Sequence, residues 1–163
     1  SLLGATAQTL FRAVRDGVAG PVRLVYANFE DGMIAPVRAP WRWRNRCGIP
    51  WPARDEFEVG CTYEHAGYVL TWLAAMFGPA RRVTAFSACL IPDKGIAVGA
   101  MAPDFSVGCI EYDHGVVARV TCGLVAPKEK EISVVGDRGV LPSTGNAHPS
   151  IHTEVPSGIH TGS

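Results

Sequence analysis

Residues 62–79 have the sequence TYEHAGYVLTWLAAMFGP, in which apolar side chains recur with the spacing of one helix face. That face comprises Tyr63, Ala66, Val69, Leu70, Leu73, Met76 and Phe77. Thr62 is a suitable N-cap, and Gly78-Pro79 is a typical helix end. The stretch predicts an amphipathic helix over 62–77 that packs its apolar face against a β-sheet.

The opposite face of this predicted helix carries a carboxylate, an imidazole, a phenol, a hydroxyl and an indole, on Glu64, His65, Tyr68, Thr71 and Trp72. Residues three or four apart are neighbours on a helix, so Tyr68 can meet both Glu64 and His65. Such groups can hold the hydroxyl groups of a polyol or transfer a proton. The alternatives are an ordinary solvated face or a dimer contact. An H-E-x-x-H zinc helix is excluded because residue 69 is Val.

The segments around this helix predict one further helix, over 3–18, and six strands. The strands are expected at 22–29, 83–91, 105–112, 116–125, 131–135 and 140–141. Asp113-His114-Gly115 and residues 136–139 have the composition of hairpin turns. This order favours an α+β domain over 1–141, with an antiparallel or mixed sheet, helices on one face and the other face open.

A long loop, predicted over 31–57, is rich in tryptophan and arginine, including Arg42 and Trp43. Aromatic planes interleaved with guanidinium groups suit stacking on sugars or clamping of a carboxylate or phosphate. Single-stranded nucleic acid uses the same residue types. A third interpretation is a surface loop whose tryptophans pack onto the sheet.

Composition excludes several classes of function. The 163 residues carry 15 Lys+Arg and 15 Asp+Glu, so no global charge favours nucleic acid. No apolar stretch approaches the roughly 20 residues that span a bilayer, so no membrane partner is expected. The five cysteines lack metal-site spacing and predict buried, reduced thiols in a cytoplasmic protein. Residues 142–163 are polar and are expected to form a disordered or truncated tail.

Two stretches, EVGCTYEHAGY at 58–68 and ISVVGDRGVL at 132–141, resemble the C-terminal domain of the Gfo/Idh/MocA oxidoreductases, the glucose–fructose oxidoreductase and inositol dehydrogenase family. The resemblance spans roughly residues 3–141. It implies an NAD(P)-dependent dehydrogenase of two domains that acts on sugars, polyols or related hydroxy compounds. The C-terminal domain of the family supplies the substrate site and, through its open sheet face, contacts between identical subunits.

The family pattern G-G-G-x-x-x-D-x-x-x-H-x-x-D places its glycines on 58–60, its first Asp on Glu64, its His on Tyr68 and its last Asp on Thr71. The resemblance therefore implies that Glu64 and Tyr68 are catalytic. Together with the composition of the loop and of the helix face, this leads us to expect substrate binding by Arg42, Trp43, His65, Thr71 and Trp72. Tyr68 departs from the pattern, because the reference pKa of a phenol is near 10 and that of imidazole near 6.5. We expect no metal site.

The family's dinucleotide fingerprint G-x-G-x-x-G and its E-K-P motif with the catalytic lysine do not occur in the 163 residues. We therefore expect a fragment that does not bind NAD(P) well or act alone, with the cofactor bound by a missing Rossmann domain. The alternative is a non-catalytic sugar-binding or oligomerisation module, suggested by the altered motif at Glu64 and Tyr68.

Overall fold

The computed structural model describes residues 2–32, 39 and 42–144. Two helices and six strands follow one another along the chain, and they are numbered here in sequence order. They are α1 (Ala5–Arg15), β1 (Val22–Glu30), α2 (Ala53–Phe77), β2 (Arg82–Ala88), β3 (Phe105–Glu111), β4 (Val117–Gly123), β5 (Glu129–Gly136) and β6 (Gly139–Thr144). Of the predicted tail over 142–163, residues 142–144 belong to β6, and the rest lies outside the described residues.

The six strands form one sheet in the order β2-β3-β4-β1-β5-β6. β1 pairs in parallel with β4, and all other neighbours are antiparallel. Both predicted hairpins are confirmed, β3 with β4 and β5 with β6. The sheet is therefore mixed, and the predicted α+β class is confirmed.

Both helices cover the same face of the sheet. Alternate residues of the central strands, such as Val25 and Ala27 of β1 and Ala118 and Val120 of β4, are buried, as expected for a strand with one face in the core. Val69 and Leu73 of α2 complete this core. On the other face no helix packs within the described ranges, and the edge strand β2 is exposed along most of its length.

The second helix begins at Ala53, so the predictions of a loop to 57 and of an N-cap at Thr62 were wrong. Gly60, at φ 79° and ψ 163°, breaks the helix into two parts, which hid the first part from a periodicity analysis. A Cβ at this position would lie 2.7 Å from Cβ of Ala102 and 2.8 Å from the carbonyl oxygen of Pro103. The hydroxyl of Thr62 instead donates to Oγ of Ser106 at 2.7 Å.

All five cysteines are free thiols. Cys61 and Cys122 lie in the core, as predicted for Cys122. The prediction of burial was wrong for Cys47, Cys89 and Cys109, which are exposed. Cys109 lies on the open sheet face, and Cys89 follows the exposed strand β2. No helix in the described part of the chain is long and apolar enough to cross a membrane.

Candidate functional site

Four of the residues predicted from helix spacing lie together on the exposed side of α2. Glu64, Tyr68 and Thr71 line a shallow surface cavity of about 450 Å³ with Gly67. Tyr68 also lines a second cavity, of about 320 Å³, with Trp72. Tyr68 is thus the wall that the two cavities share. The hydroxyl of Thr71 donates to the carbonyl oxygen of Gly67 at 2.6 Å, which leaves its oxygen as an acceptor.

The second cavity lies between the N-terminus of α1, the face of α2 and the strands β1, β5 and β6. Its lining is mainly apolar, and it includes Val69 and Ile132. The side chains of Asn28, Lys130 and Glu131 supply polar groups. A mainly apolar pocket with a few polar groups is the usual form of a small-molecule site.

The ring of Phe29, near the end of β1, contacts three side chains of the site. Tyr68 stacks on its ring with centroids 5.3 Å apart and planes 7° from parallel. The imidazole of His65 also packs on it, with centroids 4.8 Å apart. Nζ of Lys130 lies 4.1 Å from the ring centroid in a cation–π contact. Phe29 therefore fixes side chains from α2 and β5 relative to one another.

His65 is only 3% exposed, so its predicted place on the solvent face of α2 was wrong. The buried side of the helix includes Cys61, His65, Val69 and Leu73, whereas Tyr63 is 87% exposed. The interruption at Gly60 sets this orientation, which a helical wheel of residues 63–77 alone does not capture. Nε2 of His65 lies 3.0 Å from Oδ2 of Asp31 and 3.6 Å from Oε2 of Glu64. Its Nδ1 has no hydrogen-bond partner among the residues that the structure describes.

The carboxyl groups of this region influence one another strongly. The imidazole of His65 beside it holds the pKa of Glu64 below its usual range, although partial burial opposes this effect. Burial, followed by a hydrogen bond and repulsion from Glu64, raises the pKa of Glu56 to about 7. Asp31 is paired with Lys130, whose Nζ lies 2.6 Å from Oδ1. A carboxyl pKa raised by burial and a neighbouring charge is typical of functional sites, and Glu56 adjoins the cluster without lining either cavity.

Glu30 lies beside this cluster and is 5% exposed. Its Oε2 has no hydrogen-bond partner within the described ranges. A Cβ on Gly123 would lie 2.2 Å from that oxygen, so only glycine leaves room for the carboxyl group. Burial raises the pKa of Glu30, and repulsion by Glu129 adds to this, against a backbone hydrogen bond from Ala126.

The predicted substrate residues Arg42 and Trp43 are not among the residues that line either cavity. Trp43 packs on Trp51, with ring centroids 5.7 Å apart, and Trp51 packs on Phe57 of the core. Trp51 thus packs on helix α2, whereas the third interpretation placed the tryptophans on the sheet. Arg38 and Trp41 lie outside the described residues.

Sequence reasoning missed four residues of the site: Phe29, Asp31, Glu56 and Lys130. Asp31 directly follows a predicted strand, which is a weak signal for a site at the strand end. Lys130 carries no local signal, because only the pairing of β5 with β1 brings it to Phe29. Glu56 could not be placed while residues 53–57 were interpreted as loop.

No group of three or more His, Cys, Asp or Glu side chains in the described ranges is arranged to hold a metal ion. The groups that the structure brings together at the site are carboxylates, an imidazole, a phenol and an ammonium group. These groups can bind hydroxyl groups and transfer protons.

A family model described as the GFO/IDH/MocA C-terminal domain matches residues 7–141. That range includes both helices from Ala7 onward, five complete strands and the start of β6. No curated protein matches the chain.

Solved structures with the same fold include the WlbA dehydrogenase from Bordetella pertussis in complex with NADH and UDP-GlcNAcA, at 19% identity and a TM-score of 0.65. An inositol dehydrogenase homolog from Azotobacter vinelandii, complexed with NAD+, has 16% identity and a TM-score of 0.62. Myo-inositol 2-dehydrogenase from Lactobacillus plantarum has 13% identity and a TM-score of 0.66. The matches cover 93%, 88% and 86% of this chain but only 43%, 39% and 39% of theirs. These identities establish a shared fold.

Proposed function

The chain belongs to the GFO/IDH/MocA C-terminal domain family, and from that premise we propose that it forms the substrate-binding domain of an NAD(P)-dependent oxidoreductase. The proposed substrate is a sugar, a polyol or a related hydroxy compound. The solved relatives include inositol dehydrogenases and a dehydrogenase in complex with UDP-GlcNAcA. The proposal concerns the whole protein, because the chain spans about two fifths of the length of these structures.

The observation that carries the proposal is the position of Tyr68 between the two cavities, with Glu64 in one and Trp72 in the other. Tyr68 is 60% exposed although its ring is stacked on Phe29, so its phenol is both oriented and accessible. Aromatic faces beside a carboxylate and hydroxyl groups suit a polyol, which presents C–H faces and O–H edges together.

In this proposal Glu64 accepts the proton of the substrate hydroxyl. Its lowered pKa keeps it ionised near neutral pH, so it can act as an acceptor. Tyr68 donates a hydrogen bond to the same or a neighbouring oxygen, and Thr71 and Trp72 contact the rest of the substrate. His65 supports Glu64 from the buried side of the helix. Binding by Arg42 and Trp43 stays a prediction, as does a cytoplasmic location.

The dinucleotide cofactor does not fit on this chain alone. The 163 residues contain no G-x-G-x-x-G fingerprint, and the parallel pair β1 and β4 lacks the glycine-rich turn that holds a pyrophosphate. We therefore propose that another domain of the whole protein binds NAD or NADP. When bound there, the nicotinamide supplies the hydride acceptor.

The experiment is an activity assay of the whole protein with NAD and NADP on a panel of sugars and polyols. Glu64→Gln is expected to lower kcat/KM by roughly a hundredfold, since loss of a general base typically costs that much. Tyr68→Phe is expected to raise KM by about tenfold because one hydrogen bond to the substrate is lost.

Matched controls lie on the same helix. Tyr63→Phe removes the hydroxyl of a phenol that is 87% exposed and lines neither cavity. Glu58→Gln removes a carboxylate that is paired with Arg54, away from Glu64. Both controls should retain wild-type kinetics. Wild-type rates in Glu64→Gln and Tyr68→Phe would contradict the proposed roles.

A second candidate is a non-catalytic module that binds sugars or joins identical subunits. The exposed apolar side chains on the open sheet face favour it, among them Phe86 at 62% exposure and Tyr26, which lies under the guanidinium of Arg119. The same assay separates the two candidates. Cofactor reduction on at least one polyol supports the enzyme, whereas sugar binding without any turnover supports the module.

A further inference from the structure

The first turn of α1 forms one wall of the second cavity, the one of about 320 Å³. Residues 4–7 line it. The first hydrogen bond of this helix runs from the N–H of Gln8 to the carbonyl oxygen of Gly4, so the N–H groups of residues 5–7 have no acceptor within the helix. Gly4 provides no side-chain cap, and the first turn contains no acidic residue. The helix therefore presents backbone donors and the positive end of its dipole to the cavity.

An independent observation concerns Ser143 of β6, on the sheet side of the same cavity. Ser143 pairs directly with Ile132 of β5, and directly paired residues of antiparallel strands point to the same side of the sheet. Ile132 belongs to the core and lines the cavity, so Ser143 points toward the cavity as well. It is only 6% exposed, and its hydroxyl takes part in no hydrogen bond among the described residues. Buried hydroxyl groups are normally paired, so this one is available to a ligand.

The ammonium group of Lys130 lies at the same cavity. Lys130 pairs directly with Phe29 on the neighbouring strand, and its Nζ lies 4.1 Å from the centroid of that ring. The same Nζ lies 2.6 Å from Oδ1 of Asp31. An ammonium group has three N–H donors, so Lys130 keeps donors for a second acceptor. The ring and the carboxylate fix its charge at the wall of the cavity.

Two carboxylates lie near the ammonium group of Lys130. Asp31 does not line the cavity, and its Oδ2 is 3.0 Å from Nε2 of His65. Glu131 lines the cavity, and its Oε1 accepts a hydrogen bond from Ser133 at 3.1 Å. Against this one carboxylate stand the backbone donors of α1, a hydroxyl and an ammonium group. Such a set of donors favours a ligand that accepts hydrogen bonds and carries negative charge.

The remaining walls of the cavity suit the carbon frame of a substrate. They include the side chains of Val69 and Trp72 and the ring of Tyr68. Tyr68 also lines the first cavity, together with Glu64. A molecule whose reacting hydroxyl lies at Glu64 can therefore extend past Tyr68 and place a second group at the start of α1.

We propose that the second cavity binds an acidic group of the substrate, a carboxylate or a phosphate. The N–H groups of residues 5–7, Nζ of Lys130 and the hydroxyl of Ser143 donate hydrogen bonds to its oxygens. The inference rests on the proposed function and narrows its substrate class to acidic hydroxy compounds.

The first test is an NMR titration of the ¹⁵N-labelled chain with D-glucose, D-glucuronate and D-glucose 6-phosphate, which share one ring and differ only at its exocyclic carbon. At least one of the two acids should bind about tenfold more tightly than glucose, since hydrogen bonds to charged groups contribute that much. It should also shift the amide signals of Ala5, Thr6 and Ala7. The acid with the higher affinity distinguishes a carboxylate from a phosphate site. Equal affinity for all three compounds, or unchanged amide signals with both acids, overturns the inference.

The second test repeats the titration with variants. Lys130→Gln should weaken binding of the acid about tenfold, and Ser143→Ala about threefold, while the affinity for glucose is unchanged. Lys130→Arg should retain the preference for the acid. Lys128→Gln and Ser87→Ala are the controls, because both residues are exposed and line neither cavity. A preference for the acid that survives in both Lys130→Gln and Ser143→Ala refutes the inference, as does an equal loss of affinity for glucose and acid.

The proposed function and the acidic subsite can fail separately. An active whole protein with equal kcat/KM on neutral and acidic compounds refutes only the subsite. Acid binding at α1 in a whole protein that reduces no cofactor refutes the proposed function, and the acid is then a ligand that is not converted.

Discussion

Two clusters of buried ionisable groups contact α2, one before Gly60 and one after it, and they differ in how completely their charges are paired. In the first, Lys94 and Asp104 are 3% and 2% exposed and lie 2.5 Å apart, Nζ to Oδ2. Asp104 also accepts hydrogen bonds from the backbone N–H groups of Leu90 and Ile91, at 2.7 and 2.9 Å. Burial would raise the pKa of Asp104, but the hydrogen bonds from Lys94 and these backbone groups outweigh it and hold the pKa low.

The second cluster joins His65 to Asp31 and Glu64, with Lys130 and Glu56 beside them. Its imidazole is buried, but the side chains of Asp31, Glu64 and Lys130 are 23%, 31% and 37% exposed. One imidazole nitrogen is unpaired within the described ranges, and the pKa of one carboxyl group is raised by burial to about 7.

This difference indicates that the Lys94–Asp104 pair stabilises the fold, whereas the cluster around His65 is suited to catalysis. A buried ion pair whose hydrogen bonds are made within the protein has no capacity left for a ligand. It holds the loop from 89 to 104 against the first part of α2. Lys94 also lies over the ring of Phe57, 5.7 Å from its centroid. A partly open cluster with an unpaired nitrogen and a carboxyl pKa near 7 retains both access and a change of protonation near neutral pH.

The largest effect is expected from removing the charge of Asp104. Asp104→Asn leaves the ammonium group of Lys94 buried without a counter-charge, and breaking such a pair typically costs about 3–5 kcal/mol. Asp31→Asn is the matched change in the partly open cluster. It should cost about 1 kcal/mol, because Lys130 can turn to water. Urea unfolding at pH 7 measures both, and equal losses would show that the two clusters do not differ in this way.

The next effect concerns the break in α2 that separates the two clusters. In Gly60→Ala, a residue with a side chain must adopt a positive φ, and its Cβ overlaps with Ala102 and Pro103. We therefore expect a loss of about 2–4 kcal/mol in the free energy of unfolding.

Gly67→Ala is the control for this change. Gly67 lies within the continuous part of α2, and a Cβ there meets nothing within 4 Å. Alanine should therefore stabilise the helix at this position by about 0.5–1 kcal/mol. A stabilising effect of Gly60→Ala in thermal unfolding would mean that the break is not required by packing.

The extent to which the fold follows from the sequence depends on whether its determinants are local. The hairpin turns at 113–115 and 136–139 and the end of α2 at Gly78 are local, and sequence analysis located them. The parallel pairing of β1 with β4 joins segments far apart in the chain, so the sequence favoured a mixed or antiparallel sheet without assigning the pair. The first part of α2 was missed because Gly60 interrupts its periodicity.

The same distinction applies to the site. Glu64, Tyr68, Thr71 and Trp72 share one helix, so their spacing alone brought them together. Phe29 and Lys130 reach the site through strand pairing, which spacing does not encode. His65 was assigned to the wrong side because the rotation of α2 about its axis depends on the contacts at Gly60 and Cys61. Among these contacts, the backbone N–H of Cys61 donates to the carbonyl oxygen of Pro103 at 3.1 Å.

The smallest expected effect is a pH-dependent change in the free energy of unfolding, caused by Glu56 in the partly open cluster. The pKa of Glu56 is about 7 in the folded chain and near 4.5 in the unfolded chain, so the folded state holds more protons between these values. The stabilisation from this group is complete below pH 4.5 and is lost as pH rises through 7. Glu56→Gln cannot titrate, so its stability relative to wild type should improve between pH 5 and pH 8. A shift of this size corresponds to at most about 3 kcal/mol. We expect about 1 kcal/mol, because Glu56 is partly exposed to water and the pKa of Glu64 moves the opposite way.

The control for this measurement is Glu58→Gln on the same turn of α2. The hydrogen bond from Arg54 lowers the pKa of Glu58, so its contribution changes only as pH falls below about 4.5. Its difference from wild type should therefore stay constant from pH 5 to pH 8 in urea unfolding. If Glu56→Gln behaves in the same way, the pKa of Glu56 is not raised in the folded chain. The partly open cluster would then be distinguished from the Lys94–Asp104 pair by exposure to water alone.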